Sequence, residues 1–246
     1  FKSLKKKQEQ SEFITHLIPE CFKDVRNYSE YEQLKIYRNN LLNNNEEINV
    51  TDFGAGSRVM KTKQRSVKQL TKNAGSTLKR AKLLFRLVKY LKVESILELG
   101  TSTGIATHAM AITNPKANIT SIEGCPNIAK FTKNQLDKHN VKNAEVTISN
   151  FDTILPQFSA NKYDLIFIDG NHQKEATITY FETLLPSTHQ NSVMIFDDIY
   201  WSKGMTEAWK TIIKHPSVSL SIDTFFWGIV FFNKDIEKEH YYLNLL

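Results

Sequence analysis

The sequence predicts an α/β fold: a seven-stranded, mostly parallel sheet wrapped by helices, closed by an antiparallel terminal hairpin and preceded by an N-terminal helical extension. Three observations carry this expectation. Residues 93–232 alternate short apolar runs with helical patterns, which implies βαβ units and a sheet covered on both faces. The last two apolar runs are separated only by "DTFF", too short for a crossover helix, so they should pair as an antiparallel hairpin at the sheet edge. Residues 1–92 lack the alternation and read as helix and loop.

Strands are expected near 95–99, 118–122, 144–148, 163–169, 192–197, 218–222 and 227–232. Helical patterns fall at 104–113, 126–139, 153–158, 173–185 and 203–214. Ahead of them, "TLKRAKLLFRLVKYL" sets Ala81, Leu84, Phe85, Val88 and Leu91 on one helical face. An Asn-rich break at 39–47 interrupts the front part, and we divide the chain into residues 1–75 and 76–246.

Bulk properties narrow the class. Cys21 and Cys125 have no CxxC spacing, which argues against a disulfide framework or a zinc site and suits a reducing, cytoplasmic compartment. The longest apolar run, "FFWGIVFF" at 225–232, is far short of the roughly 20 residues that span a bilayer, so no membrane association is expected. "KSLKKK" is followed by no apolar stretch of the signal-peptide kind. Charge is uneven: residues 1–92 hold 20 Lys/Arg against 9 Asp/Glu, whereas residues 93–246 hold 12 against 17. A basic front part can attract nucleic acid or an acidic substrate, or it can be a solvated helical face.

Two glycine-containing stretches compete as a cofactor loop, "INVTDFGAGSR" at 48–58 and "SILELGTSTGIAT" at 95–107. A nucleotide-binding βαβ unit needs a carboxylate ending its second strand, about 20 residues on, for the ribose hydroxyls. No Asp or Glu lies between Phe53 and Val93, so the first stretch fails, whereas "NITSIE" delivers Glu123 to the second. Gly100 allows a sharp turn, and Gly104 is expected to let the backbone approach a ligand. Ser102 stands where a dinucleotide fold places its second glycine, which favours a cofactor without phosphates.

With these residues, the chain over 76–233 resembles the class I S-adenosylmethionine-dependent methyltransferases, particularly the O-methyltransferases, whose Rossmann-like fold carries the same terminal hairpin. The resemblance implies a methyltransferase domain in which Glu98, Gly100, Ser102 and Gly104 surround the methionine part of S-adenosyl-L-methionine and Glu123 holds the ribose. It also implies that Phe151, through its backbone, and Asp152, through its side chain, meet adenine; the alternative for Asp152 is an N-cap of the helix that follows.

Three carboxylates, Asp169, Asp197 and Asp198, end the fourth and fifth strands, where ligands of open parallel sheets bind. Together they need a proton, a basic side chain or a divalent cation to neutralise them, and oxygen ligands favour Mg²⁺. Asp169 and Asp197 lie 28 residues apart. Metal-dependent catechol O-methyltransferase-like and sugar O-methyltransferase-like enzymes are similar here, and that resemblance implies Asp169, Asp197 and Asp198 as metal ligands and His172 as general base. The chemistry needs a base and an aligned nucleophile behind an electrophilic methyl. The alternatives are that Asp169 faces the cofactor amino group, that Asp197 or Asp198 caps a turn, and that His172 only starts a helix. Lys174 is a second candidate base, and Trp201 is either an acceptor wall or a core residue.

"IDGNH" is not the Asn/Asp-Pro-Pro-aromatic turn of amino-methylating enzymes, and neither cysteine is placed to attack a pyrimidine. The front segment is expected to cover the acceptor, with Arg58, Lys61 and Lys63 presenting positive charge. The leading expectation is O-methylation of a small-molecule hydroxylated acceptor. A metal-independent RNA methyltransferase and a non-catalytic cofactor-binding interaction protein are the other two, and assembly, a homodimer among the options, is left open.

Overall fold

In the front segment, apolar side chains recur every three or four residues, so the chain coils into helices that each bury one face. A computed structural model of the chain describes residues 12–51, 62–235 and 237–245. Arg58 and Lys61 lie outside the described residues. Helix α1 (Glu12–Leu17) runs into a π turn (Ile18–Phe22), and α2 (Glu30–Leu42) buries Tyr31, Leu34, Tyr37 and Leu41. After the Asn-rich break, β1 (Glu47–Asn49) pairs antiparallel with β2 (Gln64–Ser66). Helix α3 (Val67–Asn73) starts at a capping box in which Ser66 and Gln69 satisfy each other's backbone N–H groups. Helix α4 (Leu78–Tyr90) is capped by Thr77 and buries Ala81, Leu84, Phe85 and Val88.

The expected alternation follows: β3 (Ser95–Leu99), α5 (Ile105–Thr113), β4 (Asn118–Glu123), α6 (Pro126–Lys138), β5 (Ala144–Ile148), α7 (Phe151–Phe158), β6 (Leu165–Ile168), α8 (Lys174–Leu184), β7 (Val193–Asp197) and α9 (Lys203–Ile212). β8 (Leu220–Asp223) and β9 (Trp227–Phe231) form the antiparallel hairpin. In the main sheet one described strand escapes the sequence reading: β10 (Glu239–Tyr242) pairs parallel with β8 and makes that sheet eight-stranded. Its residues are half-buried or exposed, so they carry no buried-strand pattern. The hairpin therefore sits inside the edge, with β9 against β7 and β8 against β10.

Strand order is β5-β4-β3-β6-β7-β9-β8-β10, and the winding reverses between β3 and β6. Such a switch point opens a crevice at the strands' carboxyl ends. Side chains alternate across the sheet: Ile96, Phe167 and Ile195 pack with Leu17, Tyr37 and Phe85 of the front helices, while Leu97, Ile166 and Phe196 pack with Phe181 and Trp209. The front segment and one face of the sheet thus share a core, and burying each large side chain contributes about 1.5–3 kcal/mol.

Candidate active site

The loop after β3 is built by close backbone approach. Gly100 has φ +99°, and a β-carbon there would stand 1.9 Å from the carbonyl oxygen of Asp169. The chain then turns through Ser102, also left-handed at φ 48°, whose N–H donates to Glu123 Oε2 at 2.9 Å. Glu123 Oε1 accepts from Cys125 N at 2.9 Å, so the strand-end carboxylate ties two loops together.

Gly104 serves packing rather than ligand approach. A β-carbon there would meet Tyr37 Oη and Thr132 Cγ2, both at 2.7 Å. The Tyr37 hydroxyl donates to Thr103 O at 2.9 Å, and its ring stacks on His108 at 4.3 Å, so α2 props the loop from behind. Glu98 likewise lies under the loop and not on the cavity wall. It is fully buried, accepts from Thr107 Oγ1 and Ser121 Oγ, and burial raises its pKa to about 7. Among the described residues its Oε1 has no hydrogen-bond partner.

The acids meet because of strand register. β6 pairs with β7 as Leu165↔Val193 through Ile168↔Phe196, a constant offset of 28, so Asp169 falls opposite Asp197. Asp169, Gly170, Asn171 and His172 then turn back tightly, with Asn171 at φ 68° and His172 at φ 45°. Asn171 Nδ2 donates to the Tyr180 hydroxyl at 2.8 Å, which pins the turn to α8. His172 Nε2 stands 3.8 Å from Asp169 Oδ1. Burial, with Asp197 and Asp198 adjoining, pushes the Asp169 carboxyl well above the usual carboxylate range.

A cavity of about 290 Å³ joins these groups, near the lower end of ligand cavities at roughly 300–1,000 Å³. Gly100, Ser102, Glu123, Phe151, Asp169, His172, Asp197, Asp198 and Trp201 all line it. Asp152 does not: it is exposed, and Asn150 is the cap of α7, accepting from Asp152 N at 2.9 Å. The lining from this stretch is Ser149, Asn150 and Phe151. Lys174 points elsewhere, to Glu207 at 2.7 Å. From the front segment Arg65 reaches the wall, whereas Lys63 is exposed and absent from it. A second cavity of about 400 Å³ shares Arg80, Asp198 and Trp201 with the first and adds Tyr200, Phe225 and Phe226. The stacked rings of Tyr200 and Phe225, 5.5 Å apart, stand exposed at its mouth.

The residues fit a nucleoside with a charged tail: a carboxylate at one end, aromatic Phe151 beside it, bare backbone at Gly100 and Gly124, and acids at the other end. They do not fit Mg²⁺ as arranged. Asp169, His172 and Asp197 bring possible ligand atoms within 4.8 Å of one another, but Asp198 is not in that set. Arg80, which the sequence reading placed on no site, holds Asp197 Oδ1 at 3.0 Å and stands 3.6 Å from Asp198 Oδ1. A second cation on Asp197 would face that guanidinium in a half-buried setting, and Mg²⁺ prefers oxygen to imidazole.

Residues 97–199 match the family model described as a methyltransferase domain. No curated protein matches the chain. Among solved structures, the S-adenosylhomocysteine-bound methyltransferase PaMTH1 of Podospora anserina superposes with TM-score 0.63 at 14% identity, covering 91% of this chain and 96% of that one. An O-methyltransferase from Bacillus cereus in complex with S-adenosylhomocysteine gives 0.57 at 18%, covering 88% and 96%. The O-methyltransferase TomG from Streptomyces achromogenes, in complex with S-adenosylmethionine, gives 0.55 at 20%, covering 64% and 80%. At these identities the likeness is one of fold.

Proposed function

We propose that the chain is an S-adenosylmethionine-dependent methyltransferase that methylates an oxygen of a small hydroxylated acceptor, a reading supported by the match of residues 97–199 to a methyltransferase-domain model and by the shared fold. The observation that supports this reading most is the placing of His172, a potential base, on the wall of the cavity whose other end holds Glu123.

S-Adenosylmethionine, when bound, supplies an electrophilic methyl on its sulfonium. Glu123 holds the ribose hydroxyls, already fixed by the two backbone N–H groups it accepts. Asp169, at the switch point, faces the methionine end. The acceptor enters the second cavity between Trp201, Tyr200 and Phe226, so that its hydroxyl arrives at the shared boundary beside Asp198. With the cofactor bound, His172 Nε2 would take the proton of the acceptor hydroxyl, freeing the oxygen's lone pair for the methyl that the sulfonium would supply. The imidazolium so formed would stand 3.8 Å from Asp169 Oδ1, beside the acids that follow β6 and β7. Alignment within the closed boundary supplies much of the rate. No step is routed through a metal, because Arg80 already holds Asp197 and stands beside Asp198.

The front segment closes the site: β1, β2 and α3 bring Val50, Thr51, Arg65 and Leu70 to the cavity wall. The test is release of S-adenosylhomocysteine with a panel of small phenols, sugars and aliphatic alcohols. Turnover with a hydroxylated member, giving a methyl ether by mass spectrometry, is expected. Transfer only to amines or to carbon would overturn the assignment to oxygen.

A further inference from the structure

Arg80 belongs to α4, in the first turn after the Thr77 cap, and its own N–H donates to Thr77 Oγ1 at 3.2 Å. From that fixed base its side chain crosses the carboxyl ends of the sheet and lines both cavities. Three contacts hold the guanidinium: Nη1 on Asp197 Oδ1 at 3.0 Å, Nη2 at 3.6 Å from Asp198 Oδ1, and the Phe226 ring, whose centroid lies 4.8 Å from Cζ. Phe226 is itself fixed, since its carbonyl accepts from Asp198 N at 2.8 Å. One planar cation therefore spans consecutive carboxylates that end β7, stacked on an aromatic face, a geometry that suits arginine's rigid fork and not a flexible ammonium.

We infer that Arg80 is the resident cation of this site: it already engages Asp197, one of the three groups (Asp169, His172 and Asp197) that could otherwise hold a divalent ion, so that methyl transfer here runs without a metal. Two features argue for this over a passing ion pair. A guanidinium is a fixed cation, so it offsets one of the carboxylate charges without a metal. It also keeps further N–H groups, beyond the two engaged by Asp197 and Asp198, at the boundary where the acceptor's oxygen would arrive. It would thereby hold the acceptor oxygen as a hydrogen-bond donor while His172 removes the proton. This inference rests on the methyltransferase reading for its second half only, since the exchange of arginine for metal is a property of the folded chain.

The test is Mn²⁺ binding followed by electron paramagnetic resonance, with the wild-type chain, Arg80→Ala, Arg80→Lys and the double variant Arg80→Ala/Asp197→Asn. The wild type should leave the free Mn²⁺ signal unchanged. Arg80→Ala should gain one saturable Mn²⁺ site per chain, which the added Asp197→Asn removes, and Arg80→Lys should bind at least tenfold more weakly than Arg80→Ala. Stoichiometric Mn²⁺ binding by the wild type, lost on Asp197→Asn, would overturn the inference, as would an Arg80→Ala chain that keeps its circular dichroism spectrum and binds no Mn²⁺. If Arg80→Ala does not fold, Arg80→Gln takes its place with the same outcomes. Once an acceptor is in hand, EDTA should leave wild-type turnover unchanged; loss of turnover with EDTA and recovery with Mg²⁺ would contradict a resident arginine. Calorimetry with S-adenosylhomocysteine on the same samples separates this result from any failure of the methyltransferase reading.

Discussion

The carbonyl oxygen of Asp169 occupies the space beside Gly100 where any other residue would carry its β-carbon, 1.9 Å from that position. The two residues end adjacent parallel strands, and Asp169 N donates to Leu99 O at 2.8 Å, so neither backbone can retreat without breaking the ladder. The glycine loop after β3 and the acidic turn are therefore one mechanical unit.

Gly100→Ala should consequently be costly, because the left-handed φ of +99° and the collision act together. We expect a loss of about 3 kcal/mol or more of stability. A drop in thermal midpoint of several degrees, with weaker S-adenosylhomocysteine binding in whatever remains folded, checks it; an unchanged midpoint would mean that the strands separate easily at this point.

His172→Gln should lower kcat by about 10²–10⁴-fold, the usual contribution of a positioned base, while leaving S-adenosylhomocysteine affinity unaltered. Lys174→Ala is the control, since Lys174 is committed to Glu207 at 2.7 Å and should change kcat by less than about twofold. If the two variants exchange these behaviours, the base has been misassigned.

The buried carboxyl of Glu98 makes stability depend on pH. Its pKa rises from the ordinary 4.5 to about 7, so the folded chain binds this proton more tightly than the unfolded chain does. Stability is then highest below the unfolded value, falls as pH climbs through that interval, and levels off above it. At about 1.4 kcal/mol per pH unit the loss is on the order of 3 kcal/mol. Glu98→Gln removes the ionisation, so the difference between the two chains in urea midpoint should shift in the variant's favour from pH 5 to pH 8. A difference independent of pH would show that Glu98 is ionised throughout.

Much of this organisation is legible in the residues themselves. The alternation over 93–232 gives the strands because buried parallel strands demand continuous apolar runs, and the 28-residue interval between Asp169 and Asp197 is the register of β6 on β7. Glu123 is found by its distance from the glycine loop, a spacing imposed by one βαβ turn. Proximity created by folding is harder to read. Arg80 looks like one more lysine-rich helix residue, and nothing local says that α4 aims it at acids 117 residues on. Gly104 and Glu98 carry the expected motif, yet they support the loop from below, because Tyr37 of a distant helix fills the space that a ligand was expected to take. The start of the rejected stretch at 48–58 does lie in a strand, β1, through Ile48 and Asn49, but it pairs with β2, outside the main sheet.

The most direct test is calorimetric titration of the intact chain with S-adenosylhomocysteine, set beside Glu123→Gln. One site per chain is expected, with affinity at least about tenfold lower in the variant, as loss of a charged hydrogen-bond acceptor worth about 1.5–3 kcal/mol requires. No heat with the wild type, or equal affinity in both, would contradict a nucleoside held by the carboxylate that ends β4.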